Sequence, residues 1–199
     1  MNRHSQKDEQ DWILRSVAHI PNGRYLDIGA FDGINYSNTW ALTEQRGWSG
    51  IMVEAGLHAF LKLLENHSGN DKLTLVHAAI GVGKSGLQPF WENHATFSTT
   101  LASNRDRFHF EGFSPQFYTP VVSMAWLFEA FPGPIDVLSI DTEGTSVELF
   151  KAFTAIGYAK PRCICVEHDG RIGEVLEHAS MYGYRPLMQN EENIVLEAQ

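Results

Sequence analysis

From residue 24 onwards, short apolar runs alternate with stretches whose apolar residues recur at helical spacing. This alternation is typical of an open α/β sheet. The strands are predicted at Arg24–Ile28, Gly50–Glu54, Leu73–Ile80, Pro120–Ser123, Ile135–Ile140, Arg162–Glu167, 184–188 and 194–196. Helices are predicted over residues 8–19, Ser37–Gly47, 57–67, Ser146–Ile156 and 172–182, and a further short helix is predicted to end near Phe131. The last two strands resemble an antiparallel pair, so the prediction is a doubly wound, Rossmann-like α/β fold with a sheet of about seven strands.

The pattern is lost between residues 85 and 118, which form an irregular insertion. This stretch is dense in aromatic residues, which follow no period: Phe90, Trp91, Phe97, Phe108, Phe110, Phe113, Phe117 and Tyr118. Long irregular segments inside a compact domain are often functional. Two interpretations stay open, a lid or wall near the acceptor site, and a β-hairpin excursion packed on the core.

The length of 199 residues, with 43% hydrophobic content, favours one domain over residues 1–199, with residues 1–22 carrying the leading helix. No run of eighteen apolar residues occurs, and residues 1–8 contain no apolar signal core. We therefore expect a soluble, cytoplasmic protein with no membrane partner.

The formal charge of −9, with no basic stripe, argues against nucleic acid as a partner and favours small-molecule ligands. The two cysteines, Cys163 and Cys165, lie two residues apart in a predicted strand and therefore on one face. Because they have no C-x-x-C context, they are interpreted as buried thiols rather than a metal or redox pair.

The segment Gly29–Gly33 follows the first predicted strand, which contains Asp27, and leads into a helical pattern, as a nucleotide-cradling turn does. Gly29 and Gly33 are four residues apart, so the G-x-G-x-x-G pattern of a nicotinamide-dependent oxidoreductase is not met. Asp27 and Asp32 make the turn acidic, which disfavours a pyrophosphate and attracts an ammonium or sulfonium group. The turn therefore predicts S-adenosylmethionine as ligand, with unpaired backbone N–H groups also facing it.

Two further predicted strand ends suit the same ligand. Glu54 ends the second strand and can accept both hydroxyls of an adenosine ribose. Ala78 and Ala79 are small enough for an adenine ring to lie against the backbone. The predicted cofactor-binding residues are Asp27, Gly29, Ala30, Asp32, Gly33, Ser37, Glu54 and Ala79.

Ionisable residues follow the next two core strands: Asp141, Glu143, Glu167, His168 and Asp169. Such a convergence at one sheet edge indicates a functional site. Asp141, Glu143 and His168 are the predicted catalytic residues, with His168 or Asp141 as the general base for a hydroxyl. His168 could instead be a capping or core histidine, and a divalent cation held by Asp141 with Glu167 or Asp169 is a further possibility.

Four segments resemble the FkbM-type family of S-adenosylmethionine-dependent methyltransferases: Leu26–Gly33, Ser37–Thr39, Gly47–Glu54 and Ile140–Gly144. The resemblance runs from about residue 24 to 170, and the I-D-x-E-G block at 140–144 is its most specific part. It implies a class I methyltransferase fold, cofactor contacts from Asp27, Gly29, Gly33 and Glu54, and Asp141 and Glu143 at the reaction centre. Ala55 and Ser139 depart from the family pattern, which usually has proline and often lysine there.

The resemblance implies methyl transfer to a hydroxyl of a sugar or another small-molecule acceptor. Two alternatives remain at this stage, a non-catalytic module that binds S-adenosylmethionine and a metal-dependent small-molecule O-methyltransferase.

Overall fold

The computed structural model describes residues 4–83, 85–92, 98–99 and 116–199, the pair 98–99 by backbone alone. The strands are β1 (Arg24–Ile28), β2 (Ser49–Glu54), β3 (Leu73–His77), β4 (Ala79–Gly81), β5 (Gly86–Glu92), β6 (Ser98–Thr99), β7 (Phe117–Ser123), β8 (Val137–Ile140), β9 (Cys163–Glu167), β10 (Tyr184–Gln189) and β11 (Asn193–Ala198). The described helices are α1 (Glu9–Ser16), α2 (Trp40–Glu44), α3 (Leu57–Asn66), α4 (Met124–Ala130), α5 (Ser146–Ile156) and α6 (Ile172–Met181). None of them is both long and apolar enough to cross a membrane.

Seven strands form the central sheet in the order β10-β11-β9-β8-β1-β2-β3. The five adjacent strands β3, β2, β1, β8 and β9 run parallel to one another, whereas β11 pairs antiparallel with both β9 and β10. This confirms the predicted α/β fold with an antiparallel pair at the C-terminal side. The direction of sheet growth reverses at β1, which lies between β2 and β8, so a ligand cleft is expected beyond its carboxyl end.

Apolar side chains fill both faces of this sheet because successive strand residues point to opposite sides. Leu26 and Ile28 belong to a core shared with α4, α5 and α6. Tyr25 belongs to the opposite core, shared with α1, α2 and α3. Cys163 and Cys165 lie together in that second core as buried, free thiols, which confirms the interpretation of their spacing.

The strand predicted over Leu73–Ile80 is divided in two. β3 ends at His77, and β4 then pairs in parallel with β7 in a separate sheet whose order is β4-β7-β5-β6. At the crossing point the Ala78 N–H donates to the Glu54 carbonyl (3.0 Å). An apolar run carries no signal for such a change of sheet, because both halves are strands that contain apolar residues.

Helix α2 is shorter than the predicted Ser37–Gly47. The Ser37 hydroxyl accepts hydrogen bonds from the N–H groups of Thr39 (3.3 Å) and Trp40 (3.0 Å). The predicted cap is therefore present, but it turns the chain before the helix begins at Trp40 instead of starting it directly.

Both ends of the 85–118 segment are strands. β5 pairs antiparallel with β7, and the rings of Phe90 and Phe117 pack edge to face across them. Gln88 and Phe90 also face the cavity described below. Residues 93–97 and 100–115, which include Phe97, Phe108, Phe110 and Phe113, lie outside the described residues.

The tight contact between β1 and β2 gives a test of the fold. Gly50 lies opposite Tyr25, and a Cβ at residue 50 would lie 2.1 Å from Cζ of the buried Tyr25 ring. We expect Gly50→Ala to lower the free energy of unfolding by about 1–3 kcal/mol in urea titrations. The control is Gly173→Ala in α6, where a Cβ meets no atom within 4 Å and alanine favours the helix. Equal stability of the two variants would contradict the described packing.

Candidate active site

A cavity of about 530 Å³ lies beyond the carboxyl ends of β1, β2 and β8. Its walls are the turns that follow these strands, together with parts of β4, β5 and β9. The volume is that of a typical small-molecule site, and the position is the one expected at the reversal of strand order.

The turn after β1 is held against the turn after β8. Gly29 has φ +86°, and a Cβ on it would lie 1.6 Å from the Asp141 carbonyl oxygen. The Asp141 N–H donates to the Ile28 carbonyl (2.9 Å), which fixes the two turns together. Only glycine tolerates both this φ value and this close approach of the Asp141 carbonyl. The fold therefore requires glycine at residue 29 whether or not a ligand binds there.

The backbone N–H groups of this turn are not free for a ligand. Those of Gly29 and Ala30 both donate to the Val53 carbonyl (2.9 and 3.1 Å). The Phe31 N–H donates to Glu54 Oε2 (2.8 Å). The expectation of unpaired N–H groups at these three residues is therefore wrong, and the carboxylates that face the cavity near this turn come from β1 and β2.

Asp27 and Glu54 are two of these carboxylates, and both are almost fully buried. Asp27 Oδ2 accepts a hydrogen bond from Thr39 Oγ1 (2.6 Å), yet burial raises the pKa of Asp27 to about 6. Glu54 Oε1 accepts from the Gly56 N–H (2.7 Å), and burial raises the pKa of Glu54 to about 7. Each carboxylate keeps lone pairs for a further donor.

Asp32 and Gly33 shape the turn and do not line the cavity. Asp32 Oδ1 accepts from the N–H groups of Ile34 (2.9 Å) and Asn35 (2.7 Å). Gly33 has φ +75°, and a Cβ there would lie 2.3 Å from Nε2 of His67. Both residues were predicted to bind the cofactor. The structure instead places them between the loop and α3.

A trio of carboxylates occupies the opposite end of the cavity. Side-chain oxygens of Asp141, Glu143 and Glu167 all lie within 4.8 Å of one another. Burial, followed by the charge of Glu167, raises the pKa of Asp141 well above its ordinary value and that of Glu143 to about 8. Such a trio can share a proton, and the same spacing would let it hold a divalent cation.

Further acidic side chains surround this trio. Glu148 and Glu192 line the same end of the cavity, and burial raises the pKa of the adjacent Asp169 to about 7. No Lys or Arg occurs among the cavity-lining residues in the described part of the chain. Arg171 Nη1 lies 2.6 Å from Glu148 Oε1, but Arg171 does not line the cavity.

His168 does not line the cavity. It is buried, its Nε2 lies 3.1 Å from the Asn190 carbonyl, and its Nδ1 accepts from the Gly170 N–H (3.1 Å). Both ring nitrogens are thus engaged with the backbone of neighbouring turns. This geometry corresponds to the alternative interpretation of a capping histidine and does not place His168 as a base.

The structure therefore brings eight predicted site residues to one cavity: Asp27, Gly29, Ala30, Ser37, Glu54, Ala79, Asp141 and Glu143. Strain also concentrates there. The described non-glycine residues with positive φ are Phe31, Tyr36, Glu143 and Asp169, and the first three line the cavity. Left-handed backbone at larger residues is costly and clusters at functional sites.

Sequence reasoning missed several lining residues, including Gln6, Tyr36 and Gln88. Gln6 and Tyr36 come from exposed positions without periodicity, and no pattern indicates which exposed residue faces a cleft. Ser139 also lines the cavity, and its hydrogen bond to Asp27 favours the ionised carboxylate. Its position directly before the I-D-x-E-G block was the one available signal.

Comparison with solved structures shows the fold. Precorrin-6y C5,15-methyltransferase from Geobacter metallireducens is similar over 100% of this chain and 91% of its own, with 13% identity and a TM-score of 0.57. A human methyltransferase 10 domain containing protein is similar over 96% and 80%, with 12% identity and a TM-score of 0.54. The fibrillarin pre-rRNA processing protein of Methanococcus jannaschii is similar over 89% and 66%, with 10% identity and a TM-score of 0.50.

No curated protein sequence matches the chain. A family profile described as the methyltransferase FkbM domain matches residues 27–186, which include every lining residue named above except Gln6 and Glu192. The chain therefore belongs to the FkbM methyltransferase domain family and is an S-adenosylmethionine-dependent methyltransferase with a Rossmann-like class I fold.

Proposed function

We propose that this methyltransferase acts on a hydroxyl group of a small-molecule acceptor such as a sugar. The observation that carries the proposal is the single cavity that joins Glu54 at one end to the Asp141–Glu143–Glu167 trio at the other. One end offers hydrogen-bond acceptors for a ribose, and the other offers proton acceptors next to where an acceptor group would enter.

The residues fit S-adenosylmethionine in the following orientation. Glu54 would hold the ribose hydroxyls, while Ala78 and Ala79 leave room for the adenine ring beside the β4 wall. Asp27 lies on β1, between the strands that carry the two ends of the cavity, where a buried carboxylate stabilises an ammonium or sulfonium charge. The methyl group would then face the β8 and β9 end.

When bound, S-adenosylmethionine supplies an activated methyl group on sulfur. What remains for the protein is to align the acceptor oxygen and to take up its proton. Glu143 or Asp141 would accept that proton, because both line the cavity at this end. Their raised pKa values make each a stronger base than an exposed carboxylate once it is ionised.

The charge of the cavity bears on the acceptor class. Its described lining contains carboxylates and no Lys or Arg, so a phosphate-rich acceptor would meet repulsion at the reaction end. One structural neighbour, the fibrillarin of Methanococcus jannaschii, is a pre-rRNA processing protein. The acidic lining favours a neutral, hydroxyl-bearing small molecule over RNA for this chain.

The cofactor assignment is tested by Glu54→Ala. Loss of a buried, charged acceptor for two hydroxyls should weaken binding of S-adenosylhomocysteine about 100-fold or more in isothermal titration calorimetry. Glu65→Ala, an exposed position on α3, is the matched control and should leave the affinity unchanged. Unchanged affinity in the Glu54 variant would refute the ribose assignment.

The same carboxyl should make the stability of the free protein depend on pH. The folded-state pKa of Glu54 is raised from 4.5 to about 7, so its stabilising contribution is present below pH 4.5 and is lost as pH rises through 7. Between pH 4.5 and 7, Glu54 should make the free energy of unfolding of the wild type decline by up to about 1.4 kcal/mol per pH unit. In urea titrations, Glu54→Gln should remove this contribution to the decline. Glu65→Gln should keep the wild-type slope, and an identical slope in the Glu54 variant would contradict the assignment.

The catalytic assignment is tested by Glu143→Gln with radiolabelled S-adenosylmethionine and a panel of methyl glycosides and other polyhydroxylated acceptors. Removing a general base should lower kcat about 100-fold or more while the affinity for S-adenosylhomocysteine stays within the control range. Glu177→Gln, exposed on α6, is the control. Undiminished turnover would rule out Glu143 as the base.

Two further outcomes of that assay separate the alternatives. Loss of transfer on chelation, restored by a divalent cation, would show that the trio acts through a metal. Binding of S-adenosylhomocysteine without transfer to any acceptor would favour a non-catalytic binding module.

A further inference from the structure

Residues 4–8, here called the strap, precede α1 and are fastened at both ends. At one end the His4 ring stacks on the Trp40 ring, with centroids 3.8 Å apart, and His4 Nδ1 lies 3.1 Å from the Ile34 carbonyl. These partners belong to the loop that follows β1 and to the start of α2. The strap is thereby attached to the loop that carries Tyr36 at the cavity mouth.

The other end of the strap is attached to the β10–β11 turn. Lys7 Nζ lies 2.7 Å from Glu191 Oε2. The Lys7 N–H donates to Oε2 of the fully buried Glu9 (2.9 Å), and Glu9 Oε1 accepts from Asn190 Nδ2 (2.6 Å). The exposed ion pair adds little by itself, whereas the buried Glu9 contacts hold the end of the strap to the turn.

Gln6 lies between these two attachments and lines the cavity, although its side chain is largely exposed. It therefore stands at the mouth. Glu192, in the turn to which the strap is attached, lines the cavity and contributes to the raised pKa of Glu143. Through this turn, the strap borders the carboxylate end of the cavity.

We propose that the strap forms one wall of the acceptor subsite and that Gln6 is a specificity-determining residue that hydrogen-bonds the acceptor. This inference rests on the proposed function, because it takes the carboxylate end as the acceptor end. A carboxamide offers both donors and an acceptor without a charge, which suits a hydroxyl-bearing molecule. Gln6 precedes the segment matched by the family profile, so this wall is a feature of the chain outside that segment.

The first experiment measures Gln6→Ala with radiolabelled S-adenosylmethionine and the methyl glycoside that is best methylated in the panel. Loss of one hydrogen bond to the acceptor should raise its KM about three- to ten-fold, with kcat and the affinity for S-adenosylhomocysteine unchanged. Gln45→Ala, an exposed glutamine that does not line the cavity, is the matched control. An unchanged KM, or an equal loss of S-adenosylhomocysteine affinity, would overturn the role of Gln6.

The second experiment tests the strap without any acceptor. Trypsin cleavage after Lys7 is followed by mass spectrometry, with S-adenosylhomocysteine present, in the wild type and in the His4→Ala/Glu191→Gln variant. Both replaced residues lie outside the cavity lining. Loss of the ring stack and the ion pair should speed cleavage at this bond about five-fold or more, because the open state becomes more populated.

The two experiments separate the possible failures. Equal cleavage rates would show that the strap is not fastened as described and would overturn the inference, whether or not methyl transfer is found. Faster cleavage in the variant, together with no methylation of any acceptor in the panel, would leave the strap in place but refute both the proposed hydroxyl acceptor and the role of Gln6.

Discussion

The contact between Gly29 and the Asp141 carbonyl is the constraint on which the site depends. β1 is the strand at which the sheet reverses its direction of growth, and the turns after β1 and β8 meet there. Because residue 29 has no side chain, the two turns approach closely enough for Asp27 and Asp141 to line one cavity. A larger residue would separate the half of the site around Glu54 from the half around Glu143.

Bringing these halves together places several carboxylates in a poorly solvated space without a lining Lys or Arg among the described residues. Desolvation is the first cause of the raised pKa values of Asp27, Glu54, Asp141 and Glu143. In the free protein these groups therefore retain protons at pH values where exposed carboxyls have lost them. A cationic ligand would reverse part of this effect, because its charge favours the ionised form. Ligand charge and proton occupancy are thus coupled in this cavity.

Much of the fold could be predicted from the sequence because periodicity reports local geometry. β1 and α5 have the predicted limits, and the alternation of strands and helices predicted the α/β sheet of about seven strands that is found. The division of Leu73–Ile80 between two sheets could not be predicted, since the residues around Leu75 and those around Ile80 form one continuous, largely apolar run. What separates them is the tertiary pairing of β4 with β7.

The site was predictable where strand ends determine position and not where hydrogen bonds decide orientation. Glu54 and Asp141 follow parallel strands and therefore reach the same edge. His168 and Asp32 are also near strand ends, but backbone groups engage their side chains and keep them from the cavity. Residue type and spacing cannot distinguish a side chain that faces a ligand from one that closes its own turn.

The two ends of the cavity differ in the kind of contact that holds their residues in place. The proposed cofactor end is built from strand ends within the matched segment, so the sheet itself fixes its position. The proposed acceptor end also draws on residues 4–8 and the β10–β11 turn, which contribute Gln6 and Glu192 to the cavity lining. Residues 4–8 are held by side-chain contacts such as Lys7–Glu191, whereas backbone hydrogen bonds also close the β10–β11 turn, including that from the Asn190 N–H to the Asn193 carbonyl (2.9 Å). Substitutions there can alter the acceptor wall without disturbing the sheet, so specificity can change in these segments while the cofactor end stays fixed.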